Sequence, residues 1–448
     1  MGRTRRLRLR KRGVPSTTVF RNLDADAEHI ALMSELRRGG WRNDTHLKVG
    51  EFSLTGRGIY ARRDFRENDL LIELPVTQLI SMITVEEDAA FCQLVLDALP
   101  SEAKVMTTQC LLALYILYLQ NHGRHSAYIA TIPKLFSVPY FCPANEIAEM
   151  IPEIRQKVRS QQETIQCTFT RLERAFASAI CGCCGNTLKG ILDLNSFEWA
   201  YFAVNSRTVY FDTSQFSNQH AAIYSLLSDA PRLAMAPFLD LLNHTTGVAT
   251  RQEHRWLSST QAVYRLFTKT PVRKYEQIFI SYGALDNVKL LVEYGFFIPN
   301  NPHDLFDFDL DEIEAATGTI PYKIKMFLKN HDFDRNLFVM RDTGLNHNLL
   351  AVLHIVREWE ISSGTLNDSA LTKIIYGDML PVSPIAKLAL KLLEGKVEKF
   401  RRIFEHFEKC RMENQLSENG EIFRSYLEEA LMWLQKRLKR CHSIRWAC

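Results

Sequence analysis

Three stretches, far apart in a 448-residue chain, carry groups that suit ligand binding and activation of a nucleophile. They are Thr55-Gly56-Arg57-Gly58-Ile59-Tyr60-Ala61, Asp240-Leu241-Leu242-Asn243-His244 and Phe279-Ile280-Ser281-Tyr282-Gly283. Without side chains, Gly56 and Gly58 let backbone amides and carbonyls approach a ligand closely. The turn precedes a strand-like run rather than opening a helix, so it fits a dinucleotide-binding fingerprint poorly. Asn243 and His244 offer an amide and an imidazole, although such a pair before a turn is often a cap. Arg207, which ends Val204-Asn205-Ser206-Arg207, has the planar fork that matches a carboxylate. Its plainer reading is a surface ion pair. A tyrosine phenol ordinarily titrates near 10, which suits Tyr282 to orienting an amine by hydrogen bonds more than to acting as a general base. Glu293-Tyr294-Gly295-Phe296-Phe297 reads equally as the wall of a channel or as core aromatics.

Elements that could position these groups follow from the pattern. His46-Leu47-Lys48-Val49, Gly58-Ile59-Tyr60-Ala61 and Leu70-Leu71-Ile72-Glu73-Leu74 read as short strands, the last ended by Pro75. Thr84-Val85-Glu86-Glu87 has the form of a capping box, and helical spacing dominates from about 84 to 197. Within that stretch, Ile147, Ile151, Ile154 and Val158 form one stripe. Strand-like runs return at Thr208–Phe211, Ala262–Phe267 and Gln277–Ile280. A β-rich unit interrupted by a helical insertion is therefore expected. After one last alternation, Leu305 to Leu310, helices follow, with Leu427, Leu431, Leu434 and Leu438 on one stripe and a second amphipathic segment from Leu388 to Phe407.

The bulk numbers bound the class. Hydrophobic residues make up 46% and charged residues 24% of the chain, as in ordinary globular proteins, and its length favours two domains. Net charge is +4, yet the first twelve residues hold seven Arg or Lys; the remainder has 48 basic against 51 acidic residues. The body is thus no basic nucleic-acid-binding domain. The tail reads as a solvated arm or as a nuclear-import or nucleic-acid-contacting segment; its arginines lack the apolar face of a mitochondrial presequence. The longest apolar run, Cys110 to Leu119, is half a membrane span and reads as a buried helix. Ten scattered cysteines without a secretory signal fit reduced thiols in nucleus or cytoplasm. Cys181-Gly182-Cys183-Cys184 lacks a second ligand pair for zinc, so no metal is expected.

As an ordered set, the three stretches and the Arg207 and Glu293–Phe297 segments resemble the SET-domain methyltransferases of the Rubisco large-subunit methyltransferase type, over roughly residues 25–448. The resemblance implies an α+β fold: a basic tail at 1–24, a β-rich SET domain at 25–300 with a pseudoknot of the Asn243-His244 and Tyr282 segments and a helical insertion at about 84–197, then an all-α substrate-binding domain at 301–448. It implies methyl transfer from S-adenosyl-L-methionine to a lysine of a protein, histone or non-histone, with no membrane partner and nucleic acid only by way of the tail. Cofactor-binding roles pass by resemblance to Thr55, Gly56, Arg57, Arg207, Asp240, Leu241, Leu242, Asn243, His244 and Tyr282. Tyr282 takes the catalytic role, and Tyr294, Gly295 and Phe296 the substrate channel. Thr55 stands where relatives often carry Glu, and Thr245 where they carry Ser. Leu285 replaces the Arg of a histidine-methylating relative. A histidine methyltransferase and a non-catalytic adaptor are the alternative expectations.

Overall fold

The strand-like runs fold as short strands grouped into small sheets. The computed structural model describes residues 19–443 apart from 100–103, 183–184, 186–191, 214–215, 217–221, 259–260, 366 and 378–379. The basic tail at 1–12 and two of the clustered cysteines, Cys183 and Cys184, therefore lie outside the described residues. Packing divides the chain into two units, one of residues up to Phe136 with Ser160–Gly283 and one of Ser137–Arg159 with Ala284 onward. The sequence reading placed the change at 300 and kept 137–159 with the insertion.

In the first unit the strands are β1 Val19–Asn22, β2 Lys48–Phe52, β3 Gly56–Tyr60, β4 Leu70–Pro75, β5 Ile80–Ser81, β6 Thr208–Tyr210, β7 Leu233–Met235, β8 Asn243–His244, β9 Thr250–Trp256, β10 Ala262–Thr268 and β11 Gln277–Ile280. They form sheets of order β1-β2-β3-β11-β8, β4-β10-β9 and β5-β7-β6. In the first, β11 lies antiparallel to β3, with Ile278 opposite Ile59, and parallel to β8, with Ile280 opposite His244. Ile59, Tyr60 and Ile278 are buried there.

The insertion between β5 and β6 is helical. Every residue from Cys110 to Leu119 is buried in the helix Thr108–Asn121, which explains an apolar run too short for a membrane. Among the described residues no helix is long and apolar enough to cross one. Helix entry differs from expectation. Ser81, at the end of β5, caps the helix Met82–Glu87, and Thr84 is its third residue: the Ser81 amide donates to Thr84 Oγ1 at 2.9 Å and the Ile83 amide to Ser81 Oγ at 3.3 Å. Met82 and Ile83 are already helical and buried, so the box lies three residues earlier than its sequence form suggests.

In the second unit the stripe from Ile147 to Val158 is split between the helices Ala144–Glu149 and Pro152–Ala175. The long helices Ala386–Met412 and Glu418–Ser443 pack together, burying Leu427, Leu431 and Leu434 with Leu392, Leu393 and Phe400. A three-stranded sheet, β12 Leu305–Phe308, β13 Leu337–Met340 and β14 Gly344–Leu345, lies in the region expected to be all-α, which is therefore mostly helical with a small sheet.

Candidate active site

Strand adjacency brings the three remote stretches together. β3 carries the glycine turn, β11 leads to Tyr282, and β8 is the Asn-His pair itself; they are consecutive in one sheet. Gly56 takes φ +73°, a left-handed value that glycine adopts without penalty. Thr55 and Gln277 join their side chains at 2.9–3.0 Å across the turn. Asn243 Nδ2 donates to the Arg57 carbonyl at 2.9 Å. A Cβ on Gly58 would lie 2.5 Å from Gln277 Nε2 and 2.7 Å from Asn243 Nδ2. The room at Gly58 is thus filled by these two amides, which lock β3, β8 and β11 in register, rather than by open space for a ligand.

Tyr282 is held at three points. Its amide donates to His244 Nδ1 at 3.0 Å, its ring stacks on the His244 ring at 4.9 Å between centroids, and its hydroxyl donates to the Leu242 carbonyl at 2.7 Å. Because Nδ1 accepts from that amide, His244 acts here as a positioner of the tyrosine backbone. With its proton given to Leu242, the phenol oxygen keeps lone pairs to accept an N–H. Leu241 and Leu242 are buried at the end of the short 3₁₀ turn Leu239–Leu241. That turn starts at Phe238, whose φ of +71° and ψ of −48° are strained for a bulky residue and whose ring packs on Trp41 at 4.8 Å.

Asp240, launched by this turn, pairs with Arg207. Arg207 Nη1 lies 2.8 Å from Asp240 Oδ2, with side chains 11% and 1% exposed, so the surface-pair reading of Arg207 is replaced by a buried one. Burial opposes charge on Arg207, but Asp240, and beyond it Tyr128 and Tyr282, hold the guanidinium more firmly protonated than in water. Arg57 is depressed, first by its own burial and then by the like charge of Arg207; its guanidinium donates to the Thr131 carbonyl. Arg207 Nε and Asp240 Oδ1 are buried without a hydrogen-bond partner among the described residues. A guanidinium paired to one carboxylate oxygen, with a second guanidinium within electrostatic reach and a buried N–H left open, fits the amino-acid end of a methionine-derived ligand, whose carboxylate would complete Arg207.

The proposed channel residues belong to the second unit. Tyr294 ends the helix Asn287–Tyr294, and Gly295 caps it at φ +75° with no room for a Cβ beside Ser137. The Tyr294 and Phe296 rings are 6.1 Å apart, and burial raises the Tyr294 pKa. Sequence reasoning missed Tyr128, Gln277 and Phe238. Gln277, a polar residue opening an apolar strand, was the one with a visible signal. Among the described residues no group of three or more His, Cys, Asp or Glu is placed to hold a metal.

A family model described as SET domain matches residues 56–283, just over half of the chain. SET domain-containing protein 4 of Artemia parthenogenetica is 30% identical over 299 residues, 66% of this chain and 68% of that protein. Actin-histidine N-methyltransferase of Danio rerio is 21% identical over 340 residues, 73% of this chain and 52% of that protein. A crystal structure of the SET domain of LSMT bound to lysine and AdoHcy shares the fold, with a TM-score of 0.60 at 16% identity over 94% of this chain and 92% of that one. The glycine turn, the Asn-His pair and Tyr282 all lie inside the matched span, and the chain belongs to the SET-domain family.

Proposed function

We propose that the protein is an S-adenosyl-L-methionine-dependent protein-lysine N-methyltransferase. The observation that carries this reading is the convergence of β3, β8 and β11, with the Tyr282 hydroxyl bonded to the Leu242 carbonyl, two residues on from Asp240 of the buried Arg207–Asp240 pair, and within electrostatic reach of Arg207. Bound there, S-adenosyl-L-methionine supplies a methyl group made electrophilic by its sulfonium. Thr55, Gly56, Arg57, Asn243 and His244 shape the adenosyl and methionyl surfaces through backbone and amide groups. Arg207 Nε takes the carboxylate. Tyr282 oxygen, fixed by Leu242, accepts an N–H of the incoming amine and directs its lone pair. Only about one lysine in a thousand is neutral at pH 7.4, so a desolvated approach that favours the neutral amine contributes directly to rate. Tyr294, Gly295 and Phe296 keep the substrate-channel role that the family resemblance gives them.

Lysine is favoured over histidine because Leu285 stands where a histidine-methylating relative carries Arg. We place the protein in nucleus and cytoplasm, with a histone or another protein as substrate, on the strength of its seven basic residues within the first twelve.

The test combines calorimetric titration of S-adenosylhomocysteine with a labelled-methyl assay on cell lysate and mass mapping of the marked residue. The expected result is binding, a labelled lysine, and at least about a 100-fold loss of rate in Tyr282→Phe with S-adenosylhomocysteine affinity kept within a few-fold. Absence of binding, or an unchanged rate in Tyr282→Phe, overturns the reading. A labelled histidine would keep the cofactor assignment and replace the acceptor.

A further inference from the structure

Tyr128 lies on the short helix Ser126–Thr131 of the insertion, within a stretch that no motif singles out, and its side chain is wholly buried. Its hydroxyl donates to Asp240 Oδ2 at 2.9 Å, the same oxygen that receives Arg207 Nη1 at 2.8 Å. The same helix ends at Thr131, whose carbonyl receives the Arg57 guanidinium from β3. One turn of the insertion is therefore tied to Arg57 directly and, through Asp240, to Arg207.

Arginine and aspartate, left to themselves, favour a two-point fork in which both carboxylate oxygens meet two N–H groups. Here they do not form it. One carboxylate oxygen carries two donors, the other carries none, and Arg207 Nε stays open although it is buried. Leaving two buried polar atoms without partners is costly, so something must hold the carboxylate in this half-paired orientation. The Tyr128 hydroxyl is placed to do so. Burial, with Asp240 beside it, keeps the phenol protonated and hence a donor at any physiological pH.

We propose that Tyr128 is a positioning residue that pins Asp240 to a single N–H of Arg207 and so reserves Arg207 Nε for the carboxylate of the methyl donor. The inference rests on the reading of this pocket as a methyl-donor site, and it makes the helical insertion part of donor selection. Without the hydroxyl, Asp240 is free to turn its second oxygen onto Nε and to compete with the ligand for it.

The experiment compares two ligands by isothermal titration on the full chain. S-adenosylhomocysteine has the amino-acid end; 5′-methylthioadenosine has the nucleoside and thioether without it. In Tyr128→Phe, which keeps the ring and its packing, affinity for S-adenosylhomocysteine is expected to fall about tenfold while that for 5′-methylthioadenosine changes less than twofold. Asp240→Asn is expected to remove the same selectivity, with no further change on adding Tyr128→Phe, because the tyrosine acts through the acid. Equal weakening of both ligands would mean a general loss of packing and overturns the proposal, as does an unchanged S-adenosylhomocysteine affinity. If the wild-type chain binds neither nucleoside, the donor-site reading itself fails and this inference falls with it. Should Tyr128→Phe not fold, the ratio of the two affinities in Asp240→Asn decides: a ratio equal to wild type overturns the proposal.

Discussion

At Gly58 an added Cβ would press on the Gln277 and Asn243 amides, and neither is free to swing away. Gln277 is bonded to Thr55 Oγ1 and Asn243 to the Arg57 carbonyl. Gly58→Ala is therefore expected to cost about 1–3 kcal/mol of stability, as overpacking does, and to weaken S-adenosylhomocysteine about tenfold by shifting β8 against β3. Thermal denaturation and calorimetric titration of the same preparation check both numbers; unchanged ligand affinity would show that the amides make way without disturbing the site. At this scale the sequence was legible where chemistry is carried by residue type in an ordered set, as with Tyr282 and Asn243-His244. It was opaque where one side chain acts through another. Nothing in residues 126–131 marks Tyr128 as a partner of Asp240, because the link spans 112 positions and depends on helix placement.

The elements were easier to find than to pair. Strand-like apolar runs located β4, β10 and β11, alternation located β12, and the apolar run Cys110–Leu119 located the central helix of the insertion, since burial on all sides leaves a continuous signature. Pairing β11 with β3 on one side and with β8 on the other is a property of the folded chain, which the resemblance supplied and periodicity could not. The 3₁₀ turn before β8 was invisible for a similar reason: its strain resides in Phe238, and a phenylalanine gives no warning of a positive φ. Two effects oppose each other there. Phe238→Gly would relieve about 1–3 kcal/mol of backbone strain but would remove a buried ring that packs on Trp41, a loss of about 3–5 kcal/mol. Packing wins, and the variant is expected to be less stable by about 1–3 kcal/mol, read from the shift of its urea midpoint. A variant more stable than wild type would show that strain dominates this turn.

Taken whole, the chain has two cores whose division does not follow the order of its sequence. In the second unit, Asp304 is buried and accepts from the Asn287 amide and Nδ2, both at 3.0 Å; Arg341 lies 4.0 Å away. Burial pushes its pKa from 3.8 up to about 6 against these stabilising partners. The folded state thus holds this proton more tightly than the unfolded chain does. The stability it contributes is fully present below pH 3.8 and is lost as pH rises through about 6. Asp304→Asn, which cannot titrate, is expected to flatten the fall of stability between pH 4 and 6 without abolishing it, because burial also raises Asp307 to about 6. Urea titrations of the full chain across that range check the slope; an identical slope in the variant would assign it to other groups. The separation of β3 from β11 reaches beyond the finished fold. Thr55 and Gln277 are 222 positions apart, so on a ribosome adding about 5–20 residues per second the free edge of β3 waits roughly 10–45 s for its neighbour. An unpaired strand edge is a template for wrong partners. Shielding of the nascent chain through that interval, more than the stability of the completed sheet, would govern how much protein a cell obtains from each message.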